Sequence, residues 1–148
     1  MKLLVSACLL GRPCRYDGAS KADPAVLRLS EKYDCIPVCP EQMGGLPTPR
    51  APAERQGDRV VTAAGGDVTR QYRSGGEAAL ERYEKERCQA ALLKERSPSC
   101  GCGAIYDGTF TRTLCPRDGV TAELLKARGI PVYGESQISA LLEMMGEA

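Results

Sequence analysis

The sequence contains no histidine, no tryptophan and only one phenylalanine. Without histidine there can be no Ser–His–Asp triad, no Cys–His dyad and no zinc site that needs imidazole. The scarcity of large aromatic side chains argues against broad stacking on nucleic-acid bases. Lysine and arginine together number 20 and aspartate and glutamate 19, so a net charge of +1 creates no strong field for nucleic acid or anionic lipid.

Long apolar runs are also missing, and none reaches the length of a membrane span. The stretch Val5-Ser6-Ala7-Cys8 resembles a lipoprotein cleavage site, but only residues 3–5 precede it as an apolar region. A signal peptide needs roughly 7–15 such residues. We therefore expect a cytoplasmic protein that does not bind a membrane.

The chain does have eight cysteines among 148 residues, of which 43% are hydrophobic. This length and composition predict one globular domain over 1–148. Without an export signal, eight cysteines indicate metal binding or catalysis rather than a disulfide framework.

Strand and helix patterns alternate along the chain. Strands are predicted over 3–7, 35–38, 90–94 and 130–133, and a β-hairpin is predicted between 59–63 and 67–71. Helices are predicted to begin at Asp23, Glu77 and Val120, and a final one is predicted to be capped by Ser136. This alternation predicts an α/β fold: a three-layer, Rossmann-like domain with a mostly parallel sheet and a small inserted hairpin.

Three cysteines follow predicted strands: Cys8, Cys39 and Cys100. Ligands of open α/β sheets bind at the carboxyl ends of the strands, so these thiols are expected to converge there. Thiolates suit zinc, copper(I) or iron–sulfur clusters. The paired C-x2-C spacing of structural zinc sites and the usual ferredoxin spacing are both missing. Single cysteines on separate loops therefore favour an active-site cofactor over a local folding staple.

Polar residues accompany these cysteines. Glu41 follows Cys39 by two positions, and Ser97 and Ser99 stand just before Cys100. A carboxylate and a hydroxyl beside a metal centre can activate and hold a water molecule. The arginines of the same loops are Arg12, Arg15 and Arg50. They are equally consistent with binding a carboxylate or phosphate and with salt bridges to Asp17 or Glu54.

Several stretches carry a resemblance to a known family. Residues 8–11 with 14–18, 39–41 with 44–50, and 93–101 match its motifs in order, and 105–110 and 119–122 extend the match. Over nearly its whole length the chain resembles the thiouracil desulfidase family, as a short stand-alone member. Departures from the pattern are confined to 111–117 and bear on substrate preference.

The resemblance implies a 4Fe–4S cluster held by Cys8, Cys39 and Cys100, with one iron left without a protein ligand. It implies removal of sulfur from a thiolated pyrimidine without redox change, with release of hydrogen sulfide. Glu41 matches the catalytic glutamate, and the catalytic serine is Ser97 or, failing that, Ser99.

Candidate substrate contacts are Arg12, Arg15, Tyr16 and Arg50. The expected partner is a small thiolated base, nucleoside or nucleotide. A thiolated tRNA is a weaker candidate, because family members that act on tRNA carry an additional C-terminal domain.

Two alternatives stay open at this point. One is a cysteine-bound zinc module without chemistry, in which Cys14 or Cys102 would be a fourth ligand. The other is an electron-transfer or redox-sensing iron–sulfur protein, which would have little need of Glu41 or Ser97. We favour a buried structural role for Cys14 and an inert loop position for Cys102.

Overall fold

A computed structural model describes residues 1–146 of the chain. Its strands, in chain order, are β1 (Lys2–Ser6), β2 (Asp34–Val38), β3 (Ala53–Gln56), β4 (Arg59–Thr62), β5 (Ala90–Leu93), β6 (Ile105–Tyr106), β7 (Leu114–Cys115) and β8 (Val132–Gly134). Its α-helices are α1 (Pro24–Lys32), α2 (Pro40–Met43), α3 (Thr69–Glu86), α4 (Val120–Ala127) and α5 (Ile138–Met144). The predicted domain end at 148 lies outside the described residues.

The central sheet has the strand order β2-β1-β5-β8, and every neighbouring pair runs parallel. Successive side chains of a strand point to opposite faces. Leu3 and Val5 of β1 therefore pack with residues of α1 and α5, whereas Leu4 packs with residues of α3 and α4. Helices cover both faces, which confirms the predicted three-layer α/β architecture.

The start of α1 follows directly from the sequence. The Asp23 carboxylate accepts hydrogen bonds from the backbone N–H groups of Ala25 and Val26, at 2.9 and 3.3 Å. Pro24 occupies the first helical position, where its missing N–H removes no hydrogen bond. The prediction of a helix beginning at Asp23 is confirmed.

The predicted small hairpin is present, but its main pairing differs from the prediction. β4 pairs antiparallel along its whole length with β3, which precedes it, whereas the predicted second strand over 67–71 pairs with β4 only at its start. Gly57 adopts a left-handed conformation, with φ of 61°, and permits a tight two-residue turn between Gln56 and Arg59. Of the predicted second strand, only Asp67 makes an isolated bridge, to Val61.

Helix α3 begins at Thr69, earlier than the predicted start at Glu77. Gly75 and Gly76 lower helix propensity by about 1 kcal/mol each relative to alanine, which favoured the later start. Both glycines are buried. Tertiary packing of α3 against α2 and α4 outweighs this intrinsic cost.

The C-terminal segment also departs from its prediction. Residues 135–137 form a 3₁₀ turn before α5, and Ser136 donates to a Glu95 carboxylate oxygen instead of capping the helix. The apolar face of α5 packs on the core, with Leu141 fully buried. No helix within residues 1–146 is both long enough and apolar enough to cross a membrane.

Candidate active site

A pocket of about 510 Å³ opens at the carboxyl edge of the central sheet. Cys8 reaches it from a 3₁₀ turn over 7–10, which directly follows β1. Cys39 reaches it from the position between β2 and α2, and Cys100 from the loop after β5. The structure therefore brings together three thiols that are far apart in sequence, at the edge where the strand order predicts ligand binding.

The loop that carries Cys100 is built around a serine. The Ser97 hydroxyl oxygen accepts hydrogen bonds from the backbone N–H groups of Ser99 and Cys100, at 3.1 and 3.0 Å. Ser97 lines the pocket, whereas Ser99 does not. Ser99 is fully buried, and its hydroxyl is hydrogen-bonded to that of Thr121 at 2.8 Å. The geometry separates the two candidate serines: one faces the pocket and the other anchors the loop to α4.

Glu41 lies in the first turn of α2 and lines the pocket. The Tyr72 hydroxyl donates a hydrogen bond of 2.5 Å to Glu41 Oε1, and Arg50 Nε lies 3.4 Å from the same oxygen. Burial, and secondly the neighbouring Glu41 carboxylate, raise the pKa of Tyr72 well above its usual range. Tyr72 therefore stays protonated and remains a donor to Glu41.

Arg50 is bound on every side by protein atoms. Its Nη1 donates to the Thr48 hydroxyl at 2.9 Å, and its Nη2 donates to the Cys14 carbonyl oxygen at 3.0 Å. Its side chain is only 5% exposed, and its ion pair is with Glu41. The sequence suggested Asp17 or Glu54 as the carboxylate partner, and that suggestion is wrong. Contact of Arg50 with a substrate stays a prediction.

A fourth thiol lies at the same place. Cys14 is buried and lines the pocket, and the Cys39 thiol donates a hydrogen bond to its carbonyl oxygen at 3.7 Å. Cys102 lies outside the pocket wall. Its thiol donates a hydrogen bond to the Val132 carbonyl oxygen at 3.5 Å.

Two thiols of the pocket, those of Cys39 and Cys100, have a raised pKa and stay protonated. The hydrogen bond with Cys14 and then burial raise the pKa of Cys39, and burial raises the pKa of Cys100 to about 12. Ligation of a metal by these thiols would therefore release protons.

Ser6, at the end of β1, is a site residue that sequence reasoning missed. Its buried hydroxyl accepts a hydrogen bond from the Lys94 backbone N–H at 2.8 Å and is also hydrogen-bonded to Cys100. Tyr72 was missed as well. A serine at a strand end and a tyrosine within a helix are common structural residues, so no sequence signal marked either one.

The mouth of the pocket is cationic. The cations of its wall that make no ion pair within residues 1–146 are Arg15, Lys21, Arg96 and Arg112. The Arg15 guanidinium lies 5.8 Å from the ring centroid of Tyr16, which also lines the pocket. Arg12 is exposed and lies outside the pocket wall. The structure therefore brings Arg15, Tyr16 and Arg50 to the pocket but not Arg12.

The donor set fits a cluster better than a single ion. Within residues 1–146 no three His, Cys, Asp or Glu side chains lie close enough to ligate one metal ion. In an iron–sulfur cluster, thiolates bind different irons, so the ligands need only surround a common cavity. Cys8, Cys39 and Cys100 meet that requirement.

Fold and site together define a small α/β protein with a thiol-lined pocket at the carboxyl edge of its sheet. Residues 3–137 match the model of the 2-thiouracil desulfurase family. The chain belongs to this family, which confirms the resemblance in its motifs.

Two relatives extend the match over nearly the whole chain. An uncharacterised protein of Bacillus subtilis, YbbK, is 40% identical, and the alignment covers 95% of this chain and 99% of that protein. The solved structure of the 4Fe–4S-dependent thiouracil desulfidase TudS matches with a TM-score of 0.93 at 46% identity. That match covers 98% of this chain and 97% of TudS.

Proposed function

We propose that this protein is a 4Fe–4S-dependent thiouracil desulfidase, which replaces the sulfur of a thiolated pyrimidine by oxygen and releases hydrogen sulfide. The observation that carries the proposal is the meeting of three buried or half-buried thiols and one carboxylate in a single pocket. The likeness to TudS, which depends on a 4Fe–4S cluster, supports the same cofactor here.

Cys8, Cys39 and Cys100 would hold the cluster, and its fourth iron would have no protein ligand. When bound, the cluster supplies a Lewis acid that polarises the thiocarbonyl group. We assign Cys14 to the wall of the pocket rather than to the ligand set. All eight cysteines are free thiols, which fits the reducing cytoplasm that we propose as the site of the reaction.

Glu41 acts as the general base in this proposal. Its carboxylate takes a proton from water, and the oxygen of that water attacks the ring carbon that carries the sulfur. The carbon–sulfur bond then breaks as the ring carbonyl forms, and the sulfur leaves as hydrogen sulfide with both protons of the water, one of them returned by Glu41. Ser97 acts as a hydrogen-bond donor in this proposal. Because its oxygen already accepts two backbone hydrogen bonds, its own proton is available to donate into the pocket. It can orient the water or stabilise the charge that develops on the ring.

The cationic mouth favours a nucleotide as substrate. The four cations without an ion pair would bind a phosphate through charge-assisted hydrogen bonds. Tyr16, whose side chain is 38% exposed, offers an aromatic face beside Arg15 for a base or sugar. The net charge of the whole chain is only +1, which makes a long anionic substrate such as tRNA a weaker candidate.

Sulfide release from three substrates that differ in sugar and phosphate tests both the desulfidase activity and the proposed phosphate site. Anaerobically reconstituted protein is given 4-thiouracil, 4-thiouridine and 4-thio-UMP, and kcat/KM is measured for each. We expect the monophosphate to have the highest kcat/KM. Arg112→Ala should lower that value about tenfold and leave the value for 4-thiouracil unchanged, since one charge-assisted hydrogen bond is lost.

Arg28→Ala is the matched control, because Arg28 is exposed on α1 and lies outside the pocket wall. Equal kcat/KM for the base and the monophosphate would refute the phosphate site. Absence of sulfide release from all three substrates would refute the activity.

The two serines of the Cys100 loop give a second prediction. Ser97→Ala should lower kcat by about 10²–10³-fold, as expected for loss of a donor to developing charge. Ser97→Thr keeps a hydroxyl and should recover part of the loss.

Ser99→Ala should instead lower the free energy of unfolding by about 1–3 kcal/mol, because the Thr121 hydroxyl loses its buried partner. Kinetics and thermal unfolding of the loaded variants separate the two effects. A larger kcat loss in Ser99→Ala than in Ser97→Ala would reverse the assignment.

A further inference from the structure

The Glu41 carboxylate is held through one oxygen only. The Tyr72 hydroxyl and Arg50 Nε both approach Oε1, at 2.5 and 3.4 Å. No hydrogen bond within residues 1–146 reaches Oε2. The Glu41 side chain is 18% exposed. Because both donors approach Oε1, the lone pairs of Oε2 stay free. The two carboxylate oxygens are therefore chemically inequivalent.

Both donors are themselves fixed. Tyr72 is 2% exposed, and the Arg50 side chain is 5% exposed. The remaining nitrogens of Arg50 are bonded to Thr48 and to the carbonyl oxygens of Pro47 and Cys14. Arg50 cannot follow the carboxylate into a different rotamer without breaking these hydrogen bonds, which costs about 1–3 kcal/mol for each buried group left unpaired. Tyr72 is held by the burial of its ring.

Two glycines set the spacing of the helices that carry this pair. A Cβ atom on Gly75 would lie 1.8 Å from the carbonyl oxygen of Pro40, and one on Gly44 would lie 1.9 Å from that of Gln71. The backbones of α2 and α3 therefore touch where Gly44 and Gly75 face each other. A glycine inside a helix costs roughly 0.5–1 kcal/mol relative to alanine. The close approach explains why Gly75 stands there.

We propose that Tyr72 and Arg50 are positioning residues, which hold the Glu41 carboxylate through Oε1. Gly44 and Gly75 set the helix spacing that allows this contact. Oε2 is then the atom that takes the proton from water. This inference rests on the proposed function of Glu41 as the general base. It adds which carboxylate oxygen takes the proton and which residues hold the carboxylate in place. Tyr72 acts through Glu41 and touches no reacting atom.

The kcat of Tyr72→Phe tests this role. Phenylalanine keeps the buried ring and removes only the hydroxyl donor. Without that donor the carboxylate can rotate, and a displacement of about 1 Å costs on the order of 10²-fold in rate. We expect kcat to fall about 10–10²-fold, with KM for 4-thio-UMP and the iron and sulfide content of the reconstituted protein unchanged. A crystal structure of the variant should show Glu41 displaced from its wild-type rotamer.

Tyr83→Phe is the matched control, since Tyr83 is a half-buried tyrosine of the same helix and lies outside the pocket wall. It should keep wild-type kcat. A wild-type kcat for Tyr72→Phe, while Glu41→Gln is inactive, would overturn the positioning role. Loss of iron, or a rise of KM in proportion to the fall of kcat, would also overturn it. Full activity of Glu41→Gln would instead refute the proposed base.

The glycine spacing provides an independent variant. Gly75→Ala forces α3 away from α2 and should lower kcat as Tyr72→Phe does. Ser74→Ala, at the preceding residue, changes an exposed side chain of α3 and should keep wild-type kcat. Equal kcat for both alanine variants and the wild type would show that the helix spacing does not position Glu41.

Discussion

Glu41→Gln is expected to lower kcat by about 10²–10⁴-fold, the range of a positioned general base. Glutamine has the shape of glutamate and can still accept the hydrogen bond of Tyr72 through its carbonyl oxygen. It cannot take a proton from water at neutral pH. The variant should therefore load the same amount of iron and sulfide and bind substrate with a similar KM, yet release sulfide very slowly. Single-turnover sulfide release under anaerobic conditions measures this loss.

The exposed glutamate Glu81 on α3 gives a control for the loss of one negative charge. Glu81→Gln should keep wild-type kcat. If Glu41→Gln released sulfide at the wild-type rate with a full cluster, another group would have to activate the water. If Glu41→Gln lost the cluster, the role of Glu41 would be structural, and the account of Glu41 as a base would fail.

Cys39→Ala is expected to abolish cluster binding, and activity should fall below detection with it. The same outcome is expected for Cys8→Ala and Cys100→Ala, because each of these thiols faces the pocket and each would bind a different iron. Iron and sulfide analysis and the visible absorbance of the reconstituted protein measure the loss. Cys88→Ala, which removes a half-buried thiol outside the pocket wall, should keep both cluster and activity.

Cys14 provides the sharper comparison within the same pocket. Cys14 lines the same pocket as Cys8 and Cys39, so position alone does not separate it from the ligands. We expect Cys14→Ala to keep its cluster, with iron content near that of the wild type. Loss of the cluster in Cys14→Ala to the same extent as in Cys39→Ala would mean four protein ligands. It would contradict the open iron on which the proposed chemistry depends.

Local patterns explain why much of the fold could be predicted. Asp23 followed by Pro24 begins a helix through the capping of its own backbone, and Leu3–Val5 forms a buried strand because both faces of the sheet are covered. Cys8 and Cys39 could be placed at one edge because parallel strands end together. Each of these features depends on residues that are neighbours in sequence or on a general rule of sheet topology.

The missed features depend on contacts between distant residues. Tyr72 and Glu41 are 31 positions apart, and they meet only because glycines let α2 and α3 touch. The partner of β4 was misassigned because the chain turns at both Gly57 and Gly65, and only the pairing of β3 with β4 extends along the whole strand. The charged partner of Arg50 was likewise set by packing of the 47–50 loop rather than by sequence order.

The origin of the new oxygen atom tests the central claim most directly. Anaerobically reconstituted protein is incubated with 4-thio-UMP in oxygen-18 water, without any electron donor, and the nucleotide product is analysed by mass spectrometry. The account predicts one oxygen-18 atom in each product molecule and one sulfide released for each, because water activated by Glu41 replaces the sulfur without redox change. Product that lacks the label, or turnover that requires an electron donor, would contradict it.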